Sequence, residues 1–370
     1  MSWTRKAIDD FSVLNAGIAR DFVSWPERGP RIIDECECVV SVLLAIAAAH
    51  LIGVRNVGWA AFSGYMVIRS DFSESLKRGS LRVMGTATGA ALAWLLADRI
   101  MHSSILLSTA LAVVGAVTLY FALIRRSGYA WLFAGLTFSM VLIDGMEHPG
   151  EALGVFARSR FIEVSAGTCA SVLVSAVSAV SIRRKFLGPG GQSVQEALIL
   201  KSPLWHKAAF HNAMQGAIAL AMIPWVWAWF GIEALSQSST TILAVMMVPV
   251  ASLSAAHHPA TSKLIHRFIG CSIGGLLATG ILMVSHDSPL AMTLAVCIGV
   301  IVGRHVENGK LGVAYVGTQF ALAFLVVLVP DTYFNVDIQP GLYRLFGIAF
   351  GMVLLEPVRL AFRQFRRSRR

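Results

Sequence analysis

Apolar runs separated by short polar or basic turns recur along the whole chain. Windows of about 20 apolar residues, the length that crosses a bilayer as a helix, fall near 36–52, 57–69, 80–97, 104–124, 129–144 and 158–181. A second set falls near 209–230, 238–253, 265–284, 288–303, 311–329 and 342–361. The pattern predicts an all-α polytopic membrane protein of about twelve transmembrane helices in two halves. The halves run over 36–187 and 208–361, joined by a cytoplasmic linker at 188–207 that opens with Gly188-Pro189-Gly190-Gly191. Ahead of them, residues 1–35 carry Ile8, Phe11, Leu14, Ile18 and Phe22 three or four apart. That stripe predicts an amphipathic cytoplasmic segment on the membrane surface, ended by Trp25-Pro26. Residues 362–370 form a basic tail.

The second segment of each three-segment unit is short or interrupted. Gly58 to Ile68 carries two glycines, Gly128 to Ile143 contains Gly135, Ser238 to Leu253 contains Pro249, and Leu311 to Val329 contains Gly312 and Gly317. Broken segments at corresponding places point to a midplane binding site in transporters built from repeats.

The third segment of each unit opens with a recurring motif. Arg82, Gly85 and Gly89 follow the spacing Arg-x2-Gly-x3-Gly, as do Arg267, Gly270, Gly274 and Arg344, Gly347, Gly351. Arg160, Glu163 and Gly167 make a fourth copy, with Glu in place of the first glycine. Arg82 to Arg160 spans 78 residues and Arg267 to Arg344 spans 77, which marks an internal repeat. Three segments per unit is an odd number, so the two units of each half face opposite ways while the halves are parallel copies. Two glycines one turn apart bare one helix face to the close approach of another helix. Such a face serves internal packing or a second protomer alike, and the oligomeric state stays open.

Composition agrees with a membrane protein. The chain is 56% hydrophobic and 14% charged, against about a quarter charged in soluble domains. Its net charge of +10 follows from topology: 26 of the 31 lysines and arginines fall in the N-terminal segment, alternate loops, the linker and the tail. By the positive-inside rule those parts and both termini are cytoplasmic, and attraction to anionic lipid accounts for the charge without nucleic acid. Arg55, Arg99, Arg158, Arg160 and Arg344 face the other way. No nucleotide-binding loop or hydrolase motif occurs, so neither an enzyme nor a self-contained ATP-driven pump is expected, and no cofactor. Cys36, Cys38, Cys169, Cys271 and Cys297 lack zinc spacing and read as free thiols. His257, His258 and His266 share a loop but have no carboxylate or thiol companion at ligand spacing, so no metal is expected.

Arg82, Arg160, Arg267 and Arg344 stand at symmetry-related helix mouths, two on each side, where they would attract an anion and hand it across. Arg stays charged in any environment and grips a carboxylate through two parallel hydrogen bonds. Snorkelling accounts equally for Arg82 and Arg267, but not for Arg160 and Arg344, which lie where arginine is depleted. Glu163, one turn into its span on the face of Arg160, is either a proton-coupling group or half of a static ion pair. Asp71 and Glu74 read as partners of Lys77 or Arg78, and Glu356 as interfacial. Gln319, Thr86, Thr88 and Tyr65 are polar groups within spans. Trp225, Trp227 and Trp229 read as interface anchors or as a stacking surface.

The stretch Arg78-Gly79-x2-Arg82-x2-Gly85-Thr86-x2-Gly89, with Arg267-x2-Gly270-x3-Gly274 as its second-half counterpart, resembles the fusaric acid resistance protein-like family of aromatic acid exporters. That resemblance implies a bacterial inner-membrane exporter of small aromatic carboxylic acids, driven by the proton gradient and working with a periplasmic adaptor. A related resemblance, to plant aluminium-activated malate transporters, keeps a passive organic-anion channel open. A membrane scaffold whose glycines serve only packing is the third reading.

Overall fold

The structure is a computed structural model that describes residues 28–183, 185, 206–232, 235–254, 259–285, 288–309, 312–329 and 339–368. The amphipathic stripe of residues 8–22, nearly all of the 188–207 linker and the His257-His258 pair lie outside the described residues. The first half contains α1 (Arg28–Ile52), α2 (Val57–Val67), α3 (Phe72–Ile100), α4 (Ser104–Ile124), α5 (Gly128–Glu147) and α6 (Leu153–Ser178). In the second half stand α7 (Lys207–Ala221), α8 (Ile223–Phe230), α9 (Leu235–Met246), α10 (Pro259–Ser285), α11 (Pro289–Glu307), α12 (Ala314–Leu328) and α13 (Gln339–Ser368). Pro224 lacks an N–H and cannot continue the backbone ladder, so one apolar run is divided into α7 and α8.

Among the described residues, eight helices are long and apolar enough to cross a membrane. The chain is a polytopic helical membrane protein. Three of the four second segments are short, as their breaks predict: α2, α9 and α12 hold only 11, 12 and 15 residues, too short for a plain crossing of a ~30 Å hydrocarbon layer at 1.5 Å per residue. The window reading is corrected in two places. α1 begins at Arg28 and not near 36, so Asp34 and Glu35 belong to a helix within the bundle. α5 runs unbroken through Gly135 for 20 residues, because the missing Cβ there accommodates the Thr118 hydroxyl of α4.

The short helices form the inner layer. α2 is apolar all round its circumference and buried along nearly its whole length, as a helix without a polar face must be. In α5, 78% of the most apolar window is buried, against 33–44% in the other long helices, so α5 joins α2, α9 and α12 inside. The long helices turn Trp94, Leu95, Leu276 and Val284 outward, toward where lipid would lie. Trp229 is likewise exposed at the end of α8.

Packing crosses between units. α3 of the first unit packs on α5 of the second, and α6 of the second packs on α2 of the first. The second half repeats this, with α10 on α12 and α13 on α9. The motif glycines make these crossings close. A Cβ at Gly85 or Gly89 would stand 2.3 Å from the carbonyl oxygen of Ala130 or Ala134, and one at Gly270 or Gly274 would stand 2.6 or 2.4 Å from that of Val316 or Phe320. Gly167 faces the Ala60 carbonyl in the same way at 2.1 Å and Gly351 faces that of Ser238 at 2.6 Å, while the Gly347 carbonyl accepts from the Ser238 hydroxyl.

Candidate functional site

Asp71 caps α3 by accepting the Glu74 N–H at 3.3 Å, so the helix starts at Phe72. The Arg78 to Gly89 stretch is therefore helical throughout, and no basic loop leads into it. Arg82 lies ten residues into α3, roughly 15 Å beyond its first residue, deep in the bundle and not at a mouth. Its side chain is fully buried.

The surroundings of Arg82 supply hydrogen bonds and rings but no counter-charge. Nη2 donates to the Ser63 hydroxyl at 3.0 Å and Nη1 to the Tyr129 hydroxyl at 3.3 Å. The guanidinium lies 4.1 Å from the centre of the Phe133 ring and 5.2 Å from that of Phe62. Among the described residues no carboxylate reaches it, and its Nε is buried with no hydrogen-bond partner. One turn earlier, Arg78 stacks over Tyr129 at 4.7 Å with its own Nε unpartnered. One turn later, the Thr86 hydroxyl is also buried and unpartnered. Residues 78, 82 and 86 share one helix face. Two cations thus lie beside aromatic rings, with buried polar atoms left unpaired. Cation–π contact stabilises the guanidinium only in part, and a buried charge without a partner is costly.

The second half holds a related but more polar site. A shift of 185 residues carries Arg78 and Arg82 onto Lys263 and Arg267, and a shift of 186 carries Tyr129 and Phe133 onto Tyr315 and Gln319. Arg267 donates to the Thr241 hydroxyl at 3.2 Å and to Gln319 Oε1. Lys263 lies 4.8 Å over the Tyr315 ring and donates to the Met247 carbonyl. Gln319 thus meets the guanidinium where Phe133 does in the first half.

Arg160 is placed differently. It donates to Glu163 and to Asp144, both at 3.2 Å, and lies 4.7 Å over the Trp59 ring. Glu163 is fully buried and also accepts the Asn56 N–H at 3.1 Å. Two carboxylates on one guanidinium leave this trio with a formal charge of −1. Arg344 lies in the second turn of α13, and its side chain falls outside the described residues. The four arginines therefore form no single cluster. Arg82 and Arg267 stand toward the end of the bundle at which α1 begins, the near end, whereas Arg160 and Arg344 stand toward the far end.

Three features escaped the sequence. The Tyr129 and Ser63 contacts of Arg82 join segments distant in sequence, although the matched Tyr129 and Tyr315 were a usable signal. Asp144 is the last residue of the 129–144 window, and nothing in that window pairs it with Arg160. At the near end, the acids of α1 meet the end of α11: Arg304 grips Asp34 at 2.6 and 3.1 Å, Asn308 donates to Asp34 at 2.7 Å, and His305 contacts Glu35 at 2.8 Å. Tyr65 donates to Glu307 at 2.7 Å, and Arg183, just beyond α6, binds Glu37. This network ties the two halves together. Glu356 pairs with Arg359 at 2.7 Å. No group of three metal-ligating side chains occurs among the described residues.

At the far end, Arg55 binds Glu151 through both nitrogens, at 2.5 and 3.1 Å, joining the α1–α2 turn to the α5–α6 turn. Arg55's hydrogen bond holds the Glu151 carboxyl below its ordinary value of 4.5. A lowered value means the tether contributes fully above pH 4.5 and is lost as pH falls through the lowered value. The pair is partly exposed, so the effect is small. Glu151→Gln should slightly lower the neutral side of the thermal stability profile and leave the acid side nearly unchanged, flattening the fall between them, as melting of the purified protein from pH 7 to pH 3.5 will show.

The family model described as fusaric acid resistance protein-like matches residues 44–174 and 220–355. No curated protein and no solved structure matches the chain.

Proposed function

As the chain belongs to the fusaric acid resistance protein-like family, whose description points to membrane efflux, we propose that it exports small aromatic carboxylic acids across the bacterial inner membrane in exchange for protons. It crosses the membrane as two six-helix halves, each an inverted pair of three-helix units, with the short helices as broken crossings inside. The crossed packing of α3 on α5 and α6 on α2, repeated in the second half, supports that symmetry. The near end is cytoplasmic, as are both termini, in keeping with the distribution of lysine and arginine.

The observation that carries the reading is the Arg82 site. A fully buried guanidinium without a carboxylate partner, flanked by Phe62, Phe133 and Tyr129, suits a ligand with a carboxylate on an aromatic ring. Arg267 offers a second such stop on the cytoplasmic side, and Arg160 and Arg344 lie on the release side. Glu163 carries the coupling proton: when it is protonated, its bond to Arg160 weakens and Arg160 becomes available to the anion. Release to the outside uses a periplasmic adaptor protein.

The contact between Arg160 and Glu163 also suits a static ion pair in a passive anion channel, so the test separates the two. In proteoliposomes, radiolabelled 4-hydroxybenzoate should accumulate against its gradient only when a pH gradient is imposed. Glu163→Gln should abolish that dependence while exchange of label persists, and Arg82→Gln should lower both by about 10–100-fold, the value of one charge-assisted pair. Equilibration indifferent to pH and to Glu163 would establish the channel.

A further inference from the structure

We infer that a chain of buried hydroxyls along α6 forms a proton path through the first half, from Glu163 toward the far end to Glu37 at the near end. The inference rests on the reading that transport is proton-coupled. α6 turns Glu163, Thr168, Ser171, Ser175 and Ser178 into the protein, all with less than a tenth of their surface exposed. Ser171 lies 2.8 Å from Ser41 of α1, and both hydroxyls donate to the Gly64 carbonyl, at 2.7 and 2.8 Å. Ser175 meets Ser75 of α3 at 3.1 Å, and Ser178 donates to Glu37 Oε1. The Thr168 hydroxyl, between Glu163 and Ser171, is buried with no partner. A hydroxyl both donates and accepts, so it can take a proton on one side and release its own on the other.

Helix packing alone does not account for these residues. A shift of 184 residues carries Arg160 onto Arg344 and places Met352 and Leu355 of α13 at the positions of Thr168 and Ser171. Both are buried. The second half thus carries apolar side chains at these two positions and Arg359, paired with Glu356, at that of Ser175, so among the described residues α13 offers no matching row of hydroxyls. A row of buried hydroxyls without a carboxylate at each end would be ordinary helix packing.

The proton balance is simple. A proton from outside is taken up by the Glu163 carboxylate, which faces Arg160, Asp144 and the Asn56 N–H, with Arg55 in the adjoining turn. It passes through Thr168 and bound water to Ser171 and Ser41, by a further water to Ser175 and Ser75, which lie about 6 Å on along the helix, and by another to Ser178. Water is needed because Glu163 and Ser171, eight residues apart, are separated by about 12 Å along the helix. Each hydroxyl gains one proton and gives up one, so only one proton moves overall. The acceptor is the Glu37 carboxylate, which faces Ser178 and Arg183, with Asp34 on the same helix and Arg304 beyond it. Glu37 then releases the proton to the cytoplasm.

The test uses full-length protein in proteoliposomes loaded with pyranine, with protein-free vesicles subtracted. Two readouts are compared: lumenal pH change on addition of 4-hydroxybenzoate, and exchange of labelled for unlabelled 4-hydroxybenzoate without a pH gradient. The Ser41→Ala/Ser171→Ala variant should lower substrate-linked proton flux at least about tenfold, while exchange stays within about a factor of two. The Ser75→Ala/Ser175→Ala variant repeats the test one step along and should behave alike. Proton flux at the wild-type rate in both variants overturns the path, and so does a parallel loss of exchange and flux, which would mark the serines as structural. Wild-type protein that exchanges substrate without moving protons would overturn coupling itself, an outcome seen before any variant is made.

Discussion

Replacing Asp34 by alanine is expected to destabilise the protein by about 3–5 kcal/mol, because it leaves the Arg304 guanidinium buried beside a vacated partner. Asp34 and Arg304 are both almost entirely buried, and Asp34 accepts four hydrogen bonds, two from Arg304, one from Asn308 and one from Ser70. Among the described residues Arg304 then keeps Glu307 at 3.4 Å, the Ile68 carbonyl at 3.3 Å and the Tyr65 ring at 5.9 Å, and Glu307 is already shared with Tyr65 and Arg69. The ion pair itself need not be a large net gain, since taking both charges out of water offsets most of their attraction. The paired variant Asp34→Leu/Arg304→Met should therefore recover much of the loss. Melting of the detergent-solubilised variants checks this, and equal damage in the single and paired variants would show that the contact does not hold the halves together.

Alanine at Gly85 or at Gly167 should cost about 1–3 kcal/mol each, the range for overpacked sites. At both positions the new methyl would meet a backbone carbonyl, at 2.3 Å from Ala130 and 2.1 Å from Ala60. A carbonyl cannot rotate aside as a flexible side chain can, so α3 must move off α5 and α6 off α2. Gly280 in α10 is the control: a Cβ there meets nothing within 4 Å. Gly280→Ala should be neutral or should stabilise by about 0.5–1 kcal/mol through the lower entropy of alanine. If all three variants melt alike, the close crossings are not what the motif glycines provide. The same shift of the α3–α5 crossing moves Tyr129 and Phe133 relative to Arg82, so Gly85→Ala should also weaken transport in whatever protein remains folded.

Much of the architecture was legible before any coordinates. Apolar length marks a membrane protein, because nothing but lipid or protein can cover so many long apolar helices. The motif around Arg82 pointed to the fusaric acid resistance protein-like family, and the family model bears that out. Repeat spacing also placed Arg82 and Arg267 in equivalent helices, because a duplicated unit keeps its register wherever it folds.

The partners of those residues were not legible. Hydropathy reads one segment at a time, so it assigned Asp34 and Glu35 to the margin of a surface segment and Glu37 to the start of the first span, when their charges are met by Arg304, His305 and Arg183, from 146 to 270 residues away. For the same reason the sequence paired Arg160 with Glu163 alone, and only the packing of α5 brings Asp144 against it as a second carboxylate. The cap at Asp71, too, starts α3 eight residues before the apolar window at 80 and so draws Arg82 inward. What the sequence determined by itself is the set of properties carried by local pattern: apolar length, repeat register, and which residues bear charge. Only the tertiary structure decided which of those charges are neutralised, because a buried charge is governed by groups within a few ångströms, and these come from helices far apart in the chain.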